Sequence, residues 1–476
     1  MLFSTTTFLF SFLPRAIAAS LLASFGPYWL FLLALTGASA YFYAAHVPAY
    51  LGLLAASAAA NYIIATLVEK GRRHWLYLAG IALNLAPLGY FKYWDFAARN
   101  IDRVLGLPFT PSNIVLPLAI SFITFEQIAF LSDVHAGRVE RGSPLRYAAF
   151  ISFFPKLIAG PIIRYTEMLP QFRAERRPSL DLAITGLCIF AVGLFKKVAF
   201  ADQIAPSADR IFGLASGQLV SGTDAALAIT AYAAQIYFDF SGYSDMAIGL
   251  ACMLGLTLPV NFFSPYKATS IIEFWRRWHI TLSRFLRDYL YIPLGGNRGG
   301  TSRTYVNLFL VMTLGGLWHG AGFAFIIWGA LHGVALILNH AWNSIRPAAL
   351  VNSRLMSIVG WAATMVTVLF GWVFFRAVDL ATSRNMLASL LTPWTTSTFE
   401  PRAIHLLAFC WLLIVACPNT AQLFRFTFLL KGSESDYLRQ IPAAKLGLVA
   451  LGGTLLFFSL VIMVSGTPNA FIYFQF

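Results

Sequence analysis

The 476-residue chain is 58% hydrophobic, 16% aromatic and only 11% charged, with a mean hydropathy of +0.69, far from the roughly 25% charged residues of soluble domains. A soluble globular fold is excluded and a polytopic membrane protein is implied. The formal charge of +14 does not argue for a nucleic-acid partner, because the bases are dispersed through short connections instead of massed in one stripe; a positive-inside bias accounts for them.

A hydrocarbon core about 30 Å thick needs roughly 20 apolar residues per helical pass. Such stretches fall near 6–24, 28–46, 48–68, 75–95, 113–133, 182–202, 224–256, 304–317, 321–341, 356–376, 403–417 and 445–465. They predict an all-α integral membrane protein of about 10–12 transmembrane helices, some of them re-entrant or buried. Arg15 follows the first apolar stretch instead of preceding it, so a retained helix is favoured over a cleaved signal peptide. The first basic loop, Lys70 to His74, comes after three apolar segments, which places it in the cytoplasm and the N-terminus outside. Arg173, Arg176 and Arg177 mark another cytoplasmic loop. Phe153 to Pro161 holds two prolines, a lysine and a glycine in a short hydrophobic run. That composition suits either a re-entrant element beside a cavity or an interfacial loop.

The more polar stretches, 163–181, 343–355 and 430–444, read as loops or surface helices. None is long enough to build its own core, so residues 1–476 read as one integral domain. Cys188, Cys252, Cys410 and Cys417 lie in apolar segments without metal-ligand spacing and read as buried small hydrophobes.

Ionisable groups inside a bilayer are costly and point to function, which singles out His279 and His319. Treated as one helix, 272–290 gathers Glu273, Arg276, Arg277, His279, Ser283, Arg284, Arg287 and Asp288 on one broad side, opposite Trp275, Trp278, Leu282 and Phe285. Such a helix either lies among the lipid headgroups or lines a polar cavity. His319 sits in Gly315 to Gly322 (GGLWHGAG), where glycines permit close backbone approach. That frame favours the cavity reading. Imidazole can accept a proton from a hydroxyl near neutral pH. The sequence has no Gly-x-Ser-x-Gly elbow, no Walker loop, no His-Glu-x-x-His pair and no haem signature, so no metal site or cofactor is predicted. Asp239, Ser241, Tyr243 and Asp245 form a polar island that either lines a tunnel or locks two helices through hydrogen bonds.

The chain resembles the membrane-bound O-acyltransferase family, and within it the bacterial alginate O-acetylation branch. The resemblance rests on Trp275 to Arg298 (WRRWHITLSRFLRDYLYIPLGGNR), Gly315 to Gly322, Ser152 to Tyr165, Gly193 to Asp202, Gln235 to Phe263 and Phe370 to Arg376, with the core motifs spanning 115–335. It implies a funnel-shaped multipass protein of the bacterial inner membrane. Such a protein takes an acetyl group from a cytoplasmic thioester, acetyl-CoA as donor substrate, and passes it outward. A periplasmic SGNH-type acetyltransferase would complete O-acetylation of an exopolysaccharide or other cell-envelope glycan. His319 corresponds to the family's invariant histidine, the expected general base, and His279 to its second histidine, expected to orient the donor or polarise its carbonyl. Arg276, Arg277, Arg284 and Arg287 would hold anionic donor groups, and Trp318, Ser283, Asp239 and Tyr243 are further substrate-binding candidates. The nearest alternative is a lipid O-acyltransferase; a transporter of lipid-linked sugar would need no base.

Overall fold

The computed structural model describes residues 2–112, 114–347, 350, 353–424 and 445–466, and every regular element among them is helical. Helices satisfy their own backbone polar groups, which is the condition for residing in hydrocarbon. Five of them are long and apolar enough to cross a membrane: Ala49–Gly71, Leu180–Ala215, Phe323–Ile345, Arg354–Arg376 and Leu446–Ser465. Phe8–Ser24, Tyr28–Ala44 and Pro401–Ala416 are shorter apolar helices. The protein is an all-α, multi-pass membrane protein. Two other apolar stretches of the sequence are shortened or interrupted. The one near 75–95 runs past Pro87 into a π-helical turn at Gly89–Tyr93, and the one near 113–133 becomes helical only at Ile120. The polar stretch 430–444 lies outside the described residues.

The described residues form two compact units. The first comprises those up to Val192, Tyr243–Pro259, and the last helix as far as Leu456. It contains α1 (Leu13–Ser24), α2 (Tyr28–Ala44), α3 (Ala49–Val68), α4 (His74–Leu88), α5 (Trp94–Leu105), α6 (Ile120–His135), α7 (Pro144–Ser152), α8 (Phe154–Leu157), α9 (Tyr165–Arg173) and most of α10 (Leu180–Phe195). The second unit comprises Gly193–Gly242, the described residues from Val260 to Phe424, and those from Phe457. Its helices are α11 (Asp202–Ala215), the first part of α12 (Gly222–Met253), α13 (Ile271–Arg277), α14 (Ile280–Leu286), α15 (Gly300–His319), α16 (Phe323–Ile345), α17 (Arg354–Arg376), α18 (Leu380–Ser389), α19 (Pro401–Ala416), α20 (Thr420–Leu423) and the end of α21 (Lys445–Ser465).

Within the first unit, the Phe153–Pro161 run is buried throughout, and Lys156 forms an ion pair with Glu126 of α6. A charge placed there is tolerable only with a partner, so this segment is a protein-enclosed element and not an interfacial loop. Gly186 of α10 meets Gly249 of α12 closely, since a Cβ on Gly186 would stand 2.4 Å from the Gly249 carbonyl oxygen. In the second unit the same two helices repeat that device, with a Cβ on Gly242 falling 2.7 Å from the Gly193 carbonyl oxygen. Small residues let membrane helices approach to backbone contact. Of the four cysteines, Cys417 departs from expectation: it follows the end of α19 and is exposed, whereas the other three are buried.

Candidate active site

His279 stands at a break in the expected 272–290 helix. The helix α13 ends at Arg277, Trp278 is extended, and His279 adopts a left-handed backbone (φ 42°, ψ 54°) before α14 begins at Ile280. The cause lies in the preceding strand-like segment around Asn261. Phe263 N–H donates to the Arg277 carbonyl at 2.9 Å, and Ile280 N–H donates to the Asn261 carbonyl at 3.0 Å. These bonds replace the helical ladder across the break. The continuous amphipathic face drawn from the sequence is therefore corrected: its members belong to two short helices and a π-helical turn, Arg287–Tyr291.

The side-chain amide of Asn261 fixes the histidine as well. Its Oδ1 accepts from Thr281 N–H (3.3 Å) and from Thr281 Oγ1 (2.9 Å), and it lies 3.1 Å from His279 Nδ1. A backbone N–H can only donate, so that atom is the oxygen, and His279 Nδ1 must carry the proton. Nε2 is then an unprotonated lone pair, and it has no hydrogen-bond partner among the described residues. The imidazole is fully buried, and burial pushes its pKa down to about 3. A neutral ring with Nδ1–H already committed has no proton to offer a thioester carbonyl. In this tautomer the ring presents Nε2 as a hydrogen-bond acceptor.

His319 is the last residue of α15, next to the extended Gly320. Its ring turns inward and is 5% exposed. It packs edge-on against Trp328 (5.2 Å between centroids), Phe375 (5.1 Å) and Trp318 (4.8 Å), and lies 6.4 Å from the ring of His279. Trp318 lies the same 6.4 Å from His279. The structure thus brings together the three residues His279, Trp318 and His319 in one buried aromatic layer.

The glycine frame permits close approach of a neighbouring helix. A Cβ on Gly316 would fall 2.2 Å from the Phe325 carbonyl oxygen, and one on Gly320 would fall 2.1 Å from the Phe325 ring. The space above these glycines is filled by α16, not held open for a substrate.

The remaining candidates separate. Arg277 pairs with Glu273 at 2.5 Å and Arg287 with Asp288 at 2.6 Å, so both are engaged within the chain. Arg276 is exposed and Arg284 half-buried. Ser283 lies one turn beyond His279, and its buried hydroxyl has no hydrogen-bond partner among the described residues. Asp239 is locked to Lys197 (2.7 Å), which also holds Asp202 (2.8 Å). That is the helix-locking alternative for the polar island. Tyr243 belongs to the first unit, where it is buried and stacks on Phe3 at 4.7 Å. Among the described residues no group of three His, Cys, Asp or Glu side chains is arranged to hold a metal ion.

Two residues of the layer went unread in the sequence. Asn261 stands in the matched block up to Phe263 but gave no hint of its reach. His332, in Trp328-Gly-Ala-Leu-His-Gly333 of α16, repeats the glycine-framed pattern of His319 and passed as part of an ordinary apolar stretch. It is fully buried between Trp328 (4.9 Å) and Trp275 (5.2 Å). Neither of its ring nitrogens has a hydrogen-bond partner among the described residues.

Sequence comparison supplies the class to which this helical membrane protein belongs. Residues 134–378 match the family model described as MBOAT, membrane-bound O-acyltransferase family. The chain is 42% identical over 430 residues to a peptidoglycan O-acetyltransferase of Helicobacter pylori, covering 82% of this chain and 80% of that protein. It is 44% identical over 403 residues to a probable alginate O-acetylase AlgI of Pseudomonas putida, covering 82% and 80%. It is 27% identical over 322 residues to a teichoic acid D-alanyltransferase of Bacillus subtilis, covering 64% and 79%. The chain belongs to the membrane-bound O-acyltransferase family, and it is an O-acyltransferase.

Proposed function

We propose that the protein moves an acetyl group from a cytoplasmic thioester, acetyl-CoA, toward O-acetylation of a cell-envelope polysaccharide such as alginate or peptidoglycan. The observation that carries this reading is the buried pair His279 and His319, 6.4 Å apart, with the Nε2 lone pair of His279 uncommitted. The names of the relatives support a polysaccharide as the final acceptor. In the transfer step an acceptor hydroxyl oxygen attacks the thioester carbonyl. His319 takes the hydroxyl proton, the C–S bond breaks as the ester C–O bond forms, and the proton passes to the leaving thiolate. His279 Nε2 accepts a hydrogen bond from an N–H or O–H of the bound reactants and holds them beside His319. Exposed Arg276 remains available for the anionic part of the donor, at the cytoplasmic side of an inner membrane whose far side faces the N-terminus. A periplasmic SGNH-type acetyltransferase would receive the group and complete its transfer.

The experiment compares a deletion strain complemented with wild type, His319→Ala or His279→Ala, and measures ester-linked acetyl in the polysaccharide and lipid fractions separately. Loss confined to the polysaccharide fraction, with membrane-inserted His319→Ala protein at wild-type levels, is the expected result. Wild-type acetyl content with His319→Ala would remove the base assignment, and loss confined to the lipid fraction would replace the acceptor with a lipid.

A further inference from the structure

A cavity of about 690 Å³ opens between α16 and α17. One wall runs from Ala335 to Arg346 on the α16 side and the facing wall from Met356 to Thr367 on α17, with Thr269–Ile271 closing the back. Both helices are apolar enough to span a membrane, so the opening between them faces lipid. Eleven residues of helix rise about 16 Å, and one leaflet of a hydrocarbon core about 30 Å thick measures about the same. The cavity is a slot one leaflet deep.

Its lining mixes charged, polar and apolar side chains. Arg346, at the end of α16, stands at the mouth with Trp342, the aromatic type that belongs at a membrane interface. Asn343, Asn339 and Ser357 suit the ester and glycerol oxygens of a lipid, Leu338, Val359 and Ala363 offer apolar contact, and Thr364 and Thr367 continue the α17 wall. The Nε of Arg346 is buried and has no hydrogen-bond partner among the described residues. A guanidinium whose Nε–H is withdrawn from water needs an acceptor, and a phosphate oxygen suits its forked geometry. The nearby carboxylate, Glu273, is already engaged by Thr269 and Arg277. Arg354 adds a second positive charge where α17 begins.

We propose that this slot binds one anionic phospholipid of the surrounding leaflet, with its phosphate on Arg346 and an acyl chain along Leu338, Val359 and Ala363. The length of the slot, its mixed lining and its charge match that class of ligand. This binding does not rest on the acyl-transfer reading.

Full-length protein is purified in detergent, exchanged into phosphatidylcholine containing phosphatidylglycerol, stripped by a fixed detergent wash and analysed for bound lipid by native mass spectrometry. Wild type is expected to retain a phosphatidylglycerol adduct. Arg346→Gln should reduce its occupancy at least tenfold, and Arg346→Lys by less. Ala363→Trp, which fills the slot without touching the charge, should also remove it. Monodispersity and unfolding temperature verify that each variant is folded. Equal retention in wild type, Arg346→Gln and Ala363→Trp overturns the proposal. So does displacement of the lipid by millimolar inorganic phosphate, which would make Arg346 a free-phosphate site, or equal retention of phosphatidylcholine, which would remove the selectivity for anionic lipid.

Discussion

Asn261 Oδ1 lies 3.1 Å from His279 Nδ1 and serves Thr281 N–H and Thr281 Oγ1 at the same time. One side chain thereby sets the tautomer of the histidine and ties it to the start of α14. Replacing it by alanine strands three buried donors, each worth about 1–3 kcal/mol when left unsatisfied. Asn261→Ala is expected to lower the unfolding temperature clearly and to abolish acetyl transfer. Asn261→Asp keeps an acceptor oxygen but buries a carboxylate and loses the amide donor, so it should recover only part of the stability. Differential scanning fluorimetry in detergent, alongside acetyl-transfer assays, checks both variants. An Asn261→Ala protein as stable and active as wild type would refute the assignment.

The neutral burial of His279 has a pH signature. Its folded-state pKa is depressed to about 3, below the ordinary histidine value of about 6.5, so the unfolded chain takes up a proton that the native protein refuses. Stability contributed by the neutral form is full above pH about 6.5 and is lost as pH falls through the window toward 3, at up to about 1.4 kcal/mol per pH unit. His279→Asn tolerates the left-handed backbone and carries no titrating group. Its stability should fall less steeply than that of wild type between pH 7 and 5. Parallel slopes in thermal unfolding would show that His279 does not contribute.

How far the sequence reached is visible residue by residue. His279 and His319 were legible because each breaks an apolar background with an ionisable group, and the structure does set them in one layer with Trp318. The break at His279 was not legible, because a helical wheel treats 272–290 in isolation while the bonds that interrupt it come from Asn261 and Phe263. Likewise the partner of Lys156 is Glu126, thirty residues away in sequence, a pairing that no local pattern announces. The glycines around His319 were visible, but their cause, α16 lying against α15, is a tertiary fact.

That helix contact yields a test of positioning without touching an imidazole. A Cβ at Gly316 would lie 2.2 Å from the Phe325 carbonyl oxygen, and one at Gly329 would lie 2.3 Å from the Met312 carbonyl oxygen. Gly316→Ala and Gly329→Ala must therefore push α15 from α16, at about 1–3 kcal/mol for overpacking, and shift His319 from His279. Gly322→Ala meets nothing nearer than 3.7 Å and serves as the control. The first two variants are expected to lose transfer activity at protein levels where Gly322→Ala retains it. Full activity in Gly316→Ala would detach the packing from catalysis.

Lys197 bridges Asp202 and Asp239 with all three side chains buried. The two substitutions that disturb it are not equivalent. Lys197→Met removes the cation that both buried carboxylates share, a change in the range of about 3–5 kcal/mol for a broken buried pair. Asp239→Asn leaves Lys197 paired with Asp202 and preserves charge balance better than the wild-type triad does. Lys197→Met is expected to accumulate poorly in membranes, and Asp239→Asn to accumulate normally with acetyl transfer within a few-fold of wild type. A folded Asp239→Asn protein with no transfer would return Asp239 to the substrate path.

His332 shares Trp328 with His319: the indole lies 4.9 Å from the ring of His332 and 5.2 Å from that of His319. An imidazole wholly buried with neither nitrogen paired among the described residues calls for a partner that arrives later, either water or a polar group of a reactant. Phenylalanine at 332 retains the ring contacts with Phe274, Trp275 and Trp328 and removes both nitrogens. The native fold then loses no satisfied hydrogen bond, so the unfolding temperature should hold. Transfer should fall about tenfold, the equivalent of one hydrogen bond of about 1.4 kcal/mol. Because the fold is retained, the loss should appear with membrane levels unchanged. A His332→Phe protein with wild-type transfer would reduce this histidine to a packing residue behind Trp328.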